Sequence, residues 1–150
     1  RDAKFEMPLN SFSNMERIEG DWYKSTTEDL NFGDLGQLQE VRYYFYKDHL
    51  ASIRIRIDAK HINSLAFVQT FIDAYGEPTE RIKDEIGGVD RWFWNGKKVK
   101  MCIGFPPIYK DGQFNPPNPN TYVYIDCIKL LNQKESDKKT KEIEEAKKIL

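Results

Sequence analysis

Apolar and polar positions follow two different periods in the middle of the chain. Residues 52–58, Ser-Ile-Arg-Ile-Arg-Ile-Asp, alternate strictly. Strand side chains point to opposite faces in turn, so Ile53, Ile55 and Ile57 share one face and Arg54 and Arg56 the other. Residues 41–46, Val-Arg-Tyr-Tyr-Phe-Tyr, are β-branched and aromatic, as a half-buried strand requires. The polar residues 47–50 break the run, and the two segments read as a hairpin. The period then changes. Leu65, Val68, Ile72 and Tyr75 recur at three and four, with Phe67 and Phe71 widening the stripe, which predicts a helix over 64–75. Asn63 suits its N-cap, and Ile62 with Phe67 has the spacing of a hydrophobic staple. Gly76 can close the helix in the left-handed conformation, and Pro78 prevents a restart.

Weaker patterns flank this stretch. Residues 1–11 carry no period and read as a loose arm. Met15 and Ile18 fall on one side of a short helix over 13–19, and 22–26 reads as a short strand. Leu30, Phe32, Leu35 and Leu38 pin the connection 28–39 to the sheet. Residues 79–88 are polar. Arg91-Trp92-Phe93-Trp94 reads as a strand, and Asn95-Gly96 predicts a type I′ turn into a returning strand over 97–105. Residues 106–120 form a long loop with five prolines and Gly112. A last strand covers 121–130. Residues 132–150 predict a charged helix with a thin stripe of Ile143, Ala146, Ile149 and Leu150, supported by pairs such as Glu144 and Lys148. No internal repeat stands out. The expected fold is α+β: an antiparallel sheet of four to six strands in ββαβββ order, one central helix packed on one face, and a charged C-terminal helix.

Composition narrows the classes. A chain of 150 residues is a single domain, 1–150, large enough to bury a core. Net charge is −1 and the isoelectric point about 6.2, so nothing in the global charge attracts nucleic acid or an anionic membrane. No apolar run approaches the roughly 20 residues of a transmembrane helix. The chain shows no leader and begins at Arg1 without Met, as a processed or trimmed product would. Cys102 and Cys127 make no disulfide framework. Strand parity turns Cys127 inward and Cys102 outward, so both are expected as free thiols.

Candidate chemistry is sparse. His49 and His61 have no Cys, His or carboxylate at metal spacing and read as solvated turn residues, so no cofactor or metal is expected. No phosphate loop, HExxH or GxSxG word occurs. The notable feature is a set of aromatic and basic strand residues. Tyr44, Tyr46, Arg54, Arg56, Trp92, Trp94, Lys98, Lys100, Tyr122 and Tyr124 are expected on the face opposite the helix. Tyr, Trp and Arg are enriched at binding hot spots, so this face is the candidate for contact with a protein or small ligand. The plainer reading covers it with the N-terminal segment or the last helix and pairs the arginines with acids such as Asp126. Single-stranded RNA is a weaker alternative, because the basic footprint is missing. Tyr109, Lys110 and Phe114 of the 106–120 loop are candidates for gripping a ligand, against the simpler role of a proline-stiffened connection.

The words at 43–57, YYFYKDHLASIRIRI, at 75–78, YGEP, and at 92–99, WFWNGKKV, occur in an order that resembles a group of small bacterial proteins, often exported or lipid-anchored. These share an aromatic hairpin, a helix ending in YG-P and a W-x-W hairpin. The resemblance spans roughly residues 28–130 and rests on turns, caps and core aromatics. It implies a bacterial source and a place in the cell envelope or periplasm, with a cytoplasmic location as the alternative. It implies no catalytic residue. The expected function is a non-catalytic binding or interaction domain. The competing reading is an enzyme on a small polar substrate using Asp and Glu for acid–base chemistry.

Overall fold

The alternation at 52–58 becomes β4, His49–Asp58, paired in antiparallel register with β3, Leu38–Tyr46. The computed structural model describes residues 4–33, 37–58, 64–83, 90–105 and 120–150. The hairpin closes through Lys47 and Asp48 alone, both with positive φ of 46° and 62°, the backbone of a type I′ turn. His49 therefore belongs to the strand rather than to the turn. Its Nδ1 lies 2.8 Å from the Lys47 carbonyl.

The sheet has eight strands where four to six were expected. Before β3 lie β1, Met15–Glu19, and β2, Trp22–Ser25. After α1, Ser64–Tyr75, come β5, Glu80–Ile82; β6, Asp90–Asn95; β7, Val99–Phe105; and β8, Asn120–Cys127. Helix α2, Ile128–Ile149, ends the fold. The spatial order is β1-β2-β3-β4-β8-β7-β6-β5. All neighbours are antiparallel. The fold is thus two four-stranded meanders, each followed by a helix and joined where β4 pairs with β8. The α+β class stands, and the chain order ββββαββββα replaces ββαβββ. The segment 13–19, expected as a helix, is the edge strand β1. Only Met15 of that strand is partly buried, so it carries little period to read. Strand β5 is exposed throughout for the same reason.

Register divides the side chains between two faces. One row across the sheet runs Tyr43, Ile53, Ile125, Met101 and Trp94, and the next Val41, Ile55, Val123, Ile103 and Trp92. Helix α1 packs Phe67 and Val68 onto this face. Ile57, Ile103 and Val123 are fully buried there. The Phe67 ring lies 5.5 Å from Phe32 and 5.0 Å from Phe71. Gly76 ends α1 at φ +80°, and its N–H donates to the Ile72 carbonyl at 2.8 Å. The expected cap Asn63 and staple residue Ile62 lie outside the described residues.

The turn at Asn95-Gly96 is not type I′, since neither residue has positive φ. Asn95 pairs with Lys100, and the Gly96 N–H donates to the Val99 carbonyl at 3.0 Å. A Cβ on Gly96 would sit 2.7 Å from that oxygen, so close approach, not φ, requires glycine here.

Residues 4–12 of the expected loose arm and its continuation are docked on the sheet. The Glu6 N–H donates to the Leu50 carbonyl at 3.0 Å and the Leu50 N–H to the Met7 carbonyl at 2.9 Å. Phe5, Leu9 and Phe12 pack against the core.

Helix α2 starts four residues earlier than expected and docks by its first turns on the second face. Leu130 is buried with Tyr44, Ala51 and Cys127, and Leu131 and Tyr46 pack around them. Lys129 pairs with Glu6 at 2.5 Å, and Lys47 with Asp137 at 2.9 Å. The Tyr46 hydroxyl donates to Asp137. Beyond Asp137 every residue of α2 is exposed. Ile143, Ile149 and Leu150 of the thin stripe are among them. Lys141 and Glu145 face each other there at 3.9 Å. Among the described residues, no helix is long and apolar enough to cross a membrane.

Two outcomes follow from this packing. Phe67→Ala should destabilise the fold by about 3–5 kcal/mol in urea unfolding, while Ile143→Ala should stay within about 0.5 kcal/mol. Equal losses would contradict the assigned core. The Tyr46 and Lys47 hydrogen bonds hold the Asp137 carboxyl below its ordinary pKa. Lys129 does the same to Glu6, by its hydrogen bond and then its charge. A depressed carboxyl stabilises above its unfolded pKa and loses that contribution as pH falls through the folded value. In an NMR titration the Tyr46 ring signals should therefore shift as pH drops below about 4, and Asp137→Asn should abolish that step. An unchanged step in the variant would contradict the latch.

Candidate functional site

The second face of the sheet is read off the same register. One row runs Arg42, Arg54, Tyr124, Cys102 and Phe93, and the next Glu40, Arg56, Tyr122, Gly104 and Arg91. Helix α1 lies on the other face, and α2 covers only the part around Tyr44 and Tyr46. Between them an open hollow of about 310 Å³ remains, lined by Trp22, Glu40, Arg42, Arg54, Ile55, Arg56, Tyr122 and Tyr124.

The structure thus separates the aromatic and basic set. Arg54, Arg56, Tyr122 and Tyr124 come together in the hollow. Tyr44 is buried beneath α2, with the Lys134 ammonium 4.5 Å from its ring centroid. Tyr46 packs in the same cluster. Trp92 and Trp94 are not on this face at all. Both lie on the α1 face, where Trp94 is buried and its indole N–H donates to the Gly76 carbonyl at 2.8 Å. The reason is the β6–β7 register, which sets Trp94 opposite Met101 and Trp92 opposite Ile103. Lys100 stays on the hollow's face, its ammonium 5.0 Å from the Phe93 ring centroid. The candidate loop residues Tyr109, Lys110 and Phe114 lie outside the described residues.

Three lining residues were not singled out from the sequence. Arg42 could have been, since it is two residues from Tyr44 on the same strand face; Glu40 follows by the same parity. Trp22 could not, because its place depends on the pairing with Tyr44 across a connection whose register no local pattern marks.

The polar groups of the hollow hold one another. Arg54 donates to Asp126 at 2.7 Å, the acid that the plainer sequence reading named. The Ser52 hydroxyl donates to the same carboxylate oxygen. The Arg54 guanidinium also stacks 4.3 Å from the Tyr124 ring and 5.9 Å from Trp22, positions where cation–π attraction operates. Arg42 donates through Nε to Glu40 at 2.7 Å. Arg56 approaches the other Glu40 oxygen at 3.7 Å, beyond hydrogen-bond range. Tyr122 and Tyr124 lie 6.3 Å apart at 36°. Trp22 is set by Tyr44, 5.1 Å away. The result is a rigid wall of rings with guanidinium groups along one side.

A second cavity, about 370 Å³, lies on the α1 face between Tyr75, Trp94, Met101 and Ile125. Two of its polar groups are committed, Trp94 to Gly76, and Glu77 to Arg81 at 2.9 Å. Cys102 and Cys127 are buried free thiols. Burial raises the pKa of Cys102, which makes it a poor nucleophile. Among the described residues, no group of three or more His, Cys, Asp or Glu is placed to hold a metal.

No curated protein and no solved structure matches the chain. A family model does match it, the TP0088 domain, over residues 16–136. The match runs from β1 to the docked part of α2 and contains every residue of the hollow. The chain belongs to the TP0088 domain family.

Proposed function

We propose that the protein is a non-catalytic binding domain of the bacterial cell envelope, and that its binding site is the hollow on the second sheet face. The observation that carries this reading is the convergence of three arginines and three aromatic rings on one concave surface that no other described residue covers. Arginine and aromatic side chains supply large contact area with fixed orientation at little entropic cost, which is why they dominate binding hot spots. Two carboxylates at the hollow, Glu40 and Asp126, each accept from an arginine, and a third, Glu19, stands 4.0 Å from Arg42. That is an arrangement for holding side chains in place rather than for shuttling protons. The envelope location rests on the resemblance of the hairpin, the YGEP word and the WFWNG word to exported bacterial proteins.

A fragment screen read by NMR tests the binding site. Hits should move the Trp22 indole signal together with amides at 54–56 and 122–124, and the double variant Trp22→Ala/Tyr122→Ala should remove them. Hits that gather around Tyr75 and Trp94 instead would contradict the reading. Cell fractionation of the native bacterium tests the location. Recovery with the membrane or periplasmic fraction is expected, and recovery with the cytosol alone would contradict it.

A further inference from the structure

We infer that the hollow takes a small ligand carrying a flat ring and one anionic oxygen group, carboxylate or phosphate, and that Glu40 is the internal carboxylate with which this group competes. The inference rests on the binding reading above and specifies its chemistry.

The three guanidiniums are not equivalent. Arg54 is fully engaged: Asp126 accepts from it at 2.7 Å and Tyr124 stacks at 4.3 Å. Its side chain is 30% exposed. Arg42 and Arg56 share Glu40, and Arg42 also has the exposed Glu19 carboxylate at 4.0 Å. Glu40 bonds Arg42 at 2.7 Å and only approaches Arg56, at 3.7 Å. Arg56 is the most exposed of the three, at 45%. Among the described residues Arg56 is therefore left with a carboxylate that it approaches but does not hydrogen-bond. A carboxylate or phosphate is the group that a guanidinium fork binds with paired, charge-assisted hydrogen bonds. A cationic ligand would meet the exposed Arg56 guanidinium as a like charge.

The rest of the hollow sets the shape. Trp22, Tyr122 and Tyr124 present ring faces beside the cations, so the body of the ligand is flat and stacks. A volume of about 310 Å³ lies at the lower end of small-ligand pockets, enough for one ring and its anionic group.

Glu40 then acts as a threshold. It stands where an oxyanion would sit between Arg42 and Arg56, and an incoming anion has to outcompete it. Removing its charge frees Arg56, leaves Arg42 only the more distant Glu19, and removes a repulsive neighbour. Glu40→Gln should therefore bind anions more tightly than the native chain, the reverse of what loss of an ordinary contact residue does.

The test is titration of the full chain with benzoate, phenyl phosphate and uncharged benzyl alcohol, read from the Trp22 indole and the amides of β4 and β8. Benzoate or phenyl phosphate should bind about tenfold more tightly than benzyl alcohol, the scale of one charge-assisted pair. Their relative affinities tell a carboxylate ligand from a phosphate one. Arg56→Gln should weaken the anions by about the same factor and leave benzyl alcohol unchanged. Glu40→Gln should tighten them several-fold. Thermal unfolding checks that the variants fold, and the exposed Arg56→Gln provides the test if Glu40→Gln does not. Benzyl alcohol binding as tightly as benzoate would overturn the anion assignment while leaving the hollow as a binding site. Unchanged or weaker anion binding by a folded Glu40→Gln would overturn the role of Glu40. If none of the three probes moved the hollow's signals, both the inference and the binding site beneath it would fall.

Discussion

The pairing of β4 with β8 is the constraint on which the molecule depends. It joins the two meanders into one sheet, with Ile53 opposite Ile125, Arg54 opposite Tyr124, Ile55 opposite Val123 and Arg56 opposite Tyr122. Strand side chains have a period of two, so a slip of one residue would send every side chain of one partner to the wrong face. In the observed register the isoleucines meet Val123 and Ile125 under α1, and the arginines meet the tyrosines on the outside. The burial that drives folding and the alignment that builds the hollow are two sides of one seam. Register is specified strongly here because Ile57 and Val123 are fully buried. Exposing either would cost on the order of 2 kcal/mol.

The hollow is also supported from a distance. Helix α2 covers Tyr44 through Leu130 and Lys134. Tyr44 supports the Trp22 ring, and Trp22 flanks Arg54. Asp126 and Ser52 fix the other side of Arg54. The proposed binding surface is therefore preorganised by packing and paired charges, which would lower the ordering cost of engaging a ligand. It also accounts for the two halves of α2. The docked turns hold the wall in place, while the exposed remainder lies beyond the family match, which ends at residue 136.

Much of this was legible in the chain, and the misses have physical causes. The hairpin and α1 were readable because their periods are strong and their ends are marked by Lys47-Asp48 and by Gly76. Strands β1 and β5 were not, because exposed edge strands have no buried face to impose alternation. The displacement of Trp92 and Trp94 is different, since the information was present. Any hairpin that pairs even residues of β6 with odd residues of β7 sets both tryptophans beside Val99, Met101 and Ile103, which the alternation had already placed in the core. Phe93 between them, aromatic on the opposite face, disguised the parity. Tyr44 and Tyr46 were placed on the correct face, but no local pattern shows that a helix starting at Ile128 returns to cover them. Of the candidate set, Arg54, Arg56, Tyr122 and Tyr124 remain outside the cover of α2 because they lie at the seam's far end from it.

The most direct measurement is the set of cross-strand backbone nuclear Overhauser contacts between β4 and β8. The account predicts contacts that link residue 54 with 124 and residue 56 with 122. Contacts that link 54 with 123 or 125 instead would put the arginines and tyrosines on opposite faces, and the hollow would not exist.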